Sequence, residues 1–166
     1  MGRSRDEKIQ YGLLIFGLLS LITLIRKPVK DWILCFFFKG FVSGFIDSFV
    51  LNKWDKLSYP VRFFPKTFKI NILYDLLLFP IACVWFNQLT YRAPIKDIFI
   101  KVFFFSIPMT IIETVAEKKT RLLKFKDWTS WHSLLSLTST FLLTRGFMGL
   151  VRKMDAWLLK ENEKSN

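Results

Sequence analysis

Five apolar runs separated by short polar stretches organise the chain. They extend from about Ile9 to Ile25, Trp32 to Leu51, Lys69 to Leu89, Asp97 to Glu117 and Thr129 to Val151. Each approaches the roughly 20 residues that a helix needs to cross about 30 Å of hydrocarbon. Phe-rich and β-branched runs would suggest strands in water. At this length in lipid, however, every backbone N–H and C=O must be paired within its own segment, so the runs predict helices. The expected fold is all-α: a polytopic integral membrane protein, one domain over residues 1–166, with about five transmembrane helices. Pro80 and Pro108 fall inside the third and fourth runs and predict kinks there. No repeat or low-complexity segment interrupts the pattern, and the stretch from Lys160 to Asn166 reads as a polar, frayed tail.

The connections differ in character. Arg26 to Asp31 is tight and predicts a hairpin between the first two runs. Asn52 to Phe68 mixes Trp54, Tyr59, Phe63, Phe64 and Phe68 with Lys53, Lys56, Arg62 and Lys66. Aromatics interleaved with bases suit the headgroup zone of a bilayer, so this loop is expected to lie along the membrane surface. Lys118 to Trp128 carries five bases and has the same character.

Composition strengthens the membrane reading. Of 166 residues, 52% are apolar, 17% are aromatic and only 23% are charged, and 19 are Phe. A soluble domain of this size needs more polar surface. The 25 Lys and Arg against 13 Asp and Glu give a net charge of +12. These bases flank apolar runs, where they meet anionic headgroups. No basic stripe stands free of the runs, so no nucleic-acid partner is expected. If the N-terminus and the second and fourth loops share a side, that side holds thirteen bases against nine on the other, which favours a cytoplasmic N-terminus. Cys35 and Cys83 sit within apolar runs and read as small core residues. The basic start, followed by a run with no small-residue cleavage site, predicts an uncleaved anchor, and Asp6 rules out a myristoylation signal at Gly2.

Ionisable residues inside apolar runs cost a few kcal/mol each on insertion scales, which makes them site candidates. Asp47, Asp75, Glu113, Glu117 and His132 all fall in one leaflet by the order of the runs. Glu113 and Glu117 are four apart and share a helix face. A Glu–Glu–His grouping beside Asp47 and Asp75 could hold a divalent cation or relay protons, although the spacing specifies no metal. The simpler alternative is that Arg62, Lys66, Lys69, Lys118, Lys119 and Arg121 neutralise these acids. A third is that Arg62, Lys66, Lys118, Lys119 and Arg121 contact lipid headgroups. Lys39 lies near the middle of the second run and should face the protein interior. Arg145, two turns from the end of the fifth, could reach outward. Ser133, Ser136, Thr140 and Thr144 form a stripe suited to close helix packing or to lining an aqueous path. Gly40 and Gly44 form a G-x-x-x-G match.

No hydrolase elbow, phosphate loop, dinucleotide fingerprint or zinc-protease helix is present, and no cofactor is expected. The stretch "LSYPVRFFPKTFKINILYDLLLFPIACVWFN", with "IIETVAEKKTRLLKFKDWTSWHS" and "LTSTFLLTRGF", resembles a family of small multi-pass membrane proteins of spore-forming Gram-positive bacteria. Its most specific pieces are Tyr59-Pro60-Val61-Arg62-Phe63-Phe64, Pro80, Glu113, Glu117 and Trp128-Thr129. That family carries a number and no functional name. The resemblance implies a bacterial plasma-membrane protein with a shared helical fold, and no catalytic residues. The leading expectation is a non-enzymatic accessory or structural membrane component that packs against itself or a partner. One alternative is a small oligomeric transporter with Asp75, Glu113 and His132 lining a cation or proton path. Another is an intramembrane lipid-modifying enzyme using Glu113 and His132 as acid and base.

Overall fold

The computed structural model describes the backbone of residues 2–53 and 57–165, and side chains there except at 2–4, 43–44, 46–53 and 163–165. The chain is mostly helical. Helix α1 (Gly2–Ser20) tightens into a 3₁₀ turn (Leu21–Ile25), and α2 covers Val29–Lys53. A π turn (Tyr74–Leu78) runs into α3 (Phe79–Leu89). Helix α4 covers Ile95–Lys119 and α5 covers Ser130–Ser165. Among the described residues, three helical stretches are long and apolar enough to cross a membrane: Arg5–Ile25, Ile95–Lys119 and Ser130–Asn162.

Several boundaries differ from the apolar runs. The first helix begins at Gly2, because its opening turns carry Asp6 and Gln10 inward and are held by protein contacts. The third starts at Ile72 rather than Lys69, and Tyr74–Leu89 is shorter than the other apolar helices. The expected polar tail is helical to Ser165, continuing α5. Pro80 has no N–H to donate, and its ring crowds the carbonyl four residues back. The helix answers with a wider turn just before it, where the Phe79 N–H bonds the Tyr74 carbonyl, five residues back. Pro108 lies inside a helix that continues on both sides of it.

The core is aromatic. Phe86 and Phe141 meet edge-on with centroids 5.4 Å apart, and Phe79 and Phe105 close on Phe141 at 5.5 and 5.6 Å. Cys35 and Cys83 are free thiols buried in this cluster. No other helix of the chain approaches Gly40 closely: a Cβ there would meet nothing within 4 Å, and Gly44 lies outside the described side chains. The tight position is Gly17, where a Cβ would sit 2.6 Å from the Leu77 side chain.

The second and fourth connections meet. Strands β1 (Leu57–Ser58) and β2 (Lys124–Phe125) pair antiparallel, Leu57 opposite Phe125, and the Val61 N–H bonds the Arg121 carbonyl at 3.1 Å. Tyr59, Ile70 and Leu123 form a small second core beneath them. Helix α1 fastens this cap. Gln10 Nε2 donates to the Val61 carbonyl at 2.8 Å, and Arg5 to the Lys119 carbonyl at 2.6 Å. Asp6, only 1% exposed, accepts the Arg121 N–H at 3.3 Å. A buried carboxylate is tolerated only with such partners.

Candidate functional site

A cavity of about 180 Å³ lies under the cap, between the middle of α1, the π turn, the end of α4 and the start of α5. The chain order places it there: α4 ends and α5 begins on either side of the fourth connection, and the π turn follows the second. Most of its lining is apolar or aromatic, and among the described residues the carboxylates in it are Asp75 and Glu113.

Glu113 is the best-defined polar group of the cavity. The Tyr74 hydroxyl donates to its Oε1 at 2.5 Å, and the Ser133 hydroxyl is a second partner. Ser133 in turn accepts the Trp128 indole N–H at 2.9 Å. The carboxylate is thus tied to the π turn, to α5 and, through Ser133, to the fourth connection. Next to it, Thr114 shares a hydrogen bond with Ser130 at 2.8 Å, which joins the end of α4 to the start of α5.

Asp75, 2% exposed, also serves the helix that carries it. Its Oδ2 accepts the Asn71 N–H at 3.0 Å, while Asn71 Oδ1 accepts the Tyr74 N–H at 3.3 Å. This reciprocal exchange caps the helix that starts at Ile72, and an acid in a first turn is favoured by the helix dipole.

The other sequence candidates fall elsewhere. Asp47 lies outside the described side chains. Glu117 points to the cap edge, where Lys124 Nζ lies 3.7 Å from its Oε1. His132 is exposed and does not join the acids. It sits one turn into the start of α5, where its Nδ1 shares a hydrogen bond with the Thr129 hydroxyl at 2.8 Å and its ring leans on Trp128. Among the described residues, no three His, Cys, Asp or Glu converge as a metal site, so the Glu–Glu–His grouping does not form. The reason is angular: His132 faces away from the face that Ser133 turns to Glu113.

The basic candidates also separate. Lys39 is 1% exposed and lies over the Phe79 ring, 3.8 Å from its centroid. Arg145 does not reach outward; it donates to the Thr90 carbonyl at 3.1 Å, where α3 ends. A helix C-terminus leaves carbonyls unpaired, and a nearby guanidinium satisfies one. Arg62 is not available to a headgroup. Its guanidinium holds the carbonyls of Tyr59, Pro65 and Phe68, which shapes the loop around Phe64. Lys66, Lys118, Lys119 and Arg121 are exposed on the cap. Of the Ser/Thr stripe, Ser133 serves Glu113 and Thr144 meets Asn87 at 3.4 Å, which is close packing against α3.

Tyr74, Asn71 and Gln10 were not candidates in the sequence. Asn71 four residues before Asp75 is a capping signal that a longer apolar run conceals. Tyr74 in an apolar run gives no comparable sign. No family model, curated protein or solved structure matches the chain.

Proposed function

We propose that the chain is a polytopic integral protein of a bacterial plasma membrane, a bundle of about five transmembrane helices, and that it acts as a non-enzymatic accessory or structural component. The observation that supports this reading is the outer surface of the bundle. Ile15, Leu19 and Ile22, Phe37, Phe41 and Phe45, Phe104 and Ile111, and Leu135 and Leu143 are all more than half exposed. They lie on four different helical segments, so the apolar exposure is not confined to one helix. Soluble proteins rarely expose contiguous apolar patches beyond a few hundred Å². Hydrocarbon is the solvent that matches such a surface. The bacterial setting rests on the resemblance described above.

The non-enzymatic part is supported by the separation of Glu113 from His132. The acid and base that a lipid-modifying reaction would need stand in different places.

Alkaline carbonate washing of membranes, followed by cysteine labelling, tests the reading. The protein should stay in the pellet. Single cysteines at Lys66 and Lys118 should label from one side, and one at Arg92 from the other. With more basic residues on the cap side, the cap should be cytoplasmic. Release of the protein by carbonate, or labelling of all three sites from one side, would overturn the reading.

A further inference from the structure

We propose that the cavity under the cap binds an organic ammonium group, with Glu113 as its counter-ion and aromatic side chains as its walls. The inference rests on the reading of the chain as a membrane protein and adds the ligand class of its cavity.

Charge inside the cavity opposes charge outside it. The chain carries +12 overall, and the cap above the cavity is studded with exposed lysines and arginines. Among the described residues, no lysine, arginine or histidine lines the cavity, whereas Glu113 and Asp75 do. A carboxylate offers about four lone-pair sites. The Tyr74 and Ser133 hydroxyls use part of that capacity, and both approach Glu113 as donors. What the carboxylate can still take is a further positive or donating group.

The walls suit an organic cation better than a bare one. Tyr59, Tyr74, Phe79, Phe125 and Trp128 all line the cavity. Five aromatics and a carboxylate in the lining of one cavity match the recognition of substituted ammonium groups, whose charge is spread over methyl or methylene carbons and attracted to ring faces. Phe79 already shows this chemistry within the protein, since the Lys39 ammonium lies 3.8 Å from its ring centroid. A hydrated metal ion would want several oxygen ligands, and no cluster of three acidic, His or Cys side chains is present among the described residues. The volume fits as well: about 180 Å³ compares with the roughly 150 Å³ dry cavity that accommodates benzene. That is room for an ammonium head and a few carbons.

Such a head could belong to a membrane lipid or to a free small amine, and one titration separates them. The purified protein in phosphatidylglycerol nanodiscs is titrated calorimetrically with choline and with dimethylbutanol, the uncharged isostere of choline. The titration is repeated in phosphatidylcholine nanodiscs. Choline should bind saturably in the first discs and the isostere at least about tenfold more weakly. Competition in phosphatidylcholine discs assigns the ligand to a lipid headgroup, and unchanged affinity assigns it to a free amine.

Glu113→Gln should remove the preference for choline over the isostere. Glu117→Gln, whose side chain meets Lys124 at the cap edge, should leave it intact. If Glu113→Gln does not fold, Phe125→Leu decides: it removes a ring but keeps apolar volume, and should reduce the preference without abolishing isostere binding. No saturable choline binding, or equal binding of choline and isostere, would sink the proposal. A carbonate wash of the same preparation reports separately on the membrane reading, so the two can fail independently.

Discussion

At the scale of single residues, the three buried acids of the cap and cavity are explained by what meets them. Glu113 is held by Tyr74 and Ser133, Asp6 by the Arg121 amide, and Asp75 by the Asn71 amide. A hydrogen bond to a charged group contributes about 1.5–3 kcal/mol, and exposed ion pairs about 0–1 kcal/mol. Tyr74→Phe should therefore lower stability by about 1.5–3 kcal/mol. Glu117→Gln, which loses only a half-exposed pair with Lys124, should change it by less than about 1 kcal/mol. Thermal unfolding of both variants in one detergent checks the order, and an equal loss in the two would contradict it. The ionisable members of the site were legible because a charge in an apolar run is conspicuous. Tyr74 was not, because a tyrosine in such a run has no visible cost until its hydroxyl's partner is known.

At the scale of elements, the helices follow the apolar runs, but their local geometry follows neighbours. Pro80 was legible as a disturbance, and the structure shows its form as a π turn that brings Tyr74 and Asp75 to the cavity. Glycine spacing did not mark the tight contact within the chain. Gly40 matches a known packing motif but faces open space, while the isolated Gly17 lies against Leu77. Gly17→Ile should reduce the yield of folded protein, since the added atoms must displace Leu77. Gly40→Ala should be neutral or slightly stabilising, because alanine is the better helix former. Size-exclusion profiles of the two variants measure this, and the reverse pattern would show that the contact between α1 and the π turn is not where the structure places it.

At the scale of the whole molecule, two basic connections and the first helix form one cap. Nothing in their separate sequences states that Leu57 pairs with Phe125 or that Gln10 reaches Val61. The opposite end is tied by Arg152, whose Nε lies 2.6 Å from Asp31 and whose guanidinium lies over the Tyr91 ring. Beyond it, residues 153–162 of α5 are exposed throughout. A chain ending after Lys153 should keep the thermal midpoint of the full protein, because those residues support no buried contact. A marked drop in midpoint would mean that the protruding helix is held by something other than the rest of this chain.

The sequence by itself determined the helical class and the identity of the ionisable residues placed among apolar ones. Those properties are carried by run length and composition, which act locally along the chain. Tertiary structure decided which of these residues share a site. Helix ends differ from run ends by a few residues, and each residue turns a helix by about 100°. Small shifts in register therefore separate His132 from Glu113 and bring Tyr74 to it. The position of a side chain around its helix, and the partner it meets across a loop, depend on contacts between distant segments that no local pattern specifies.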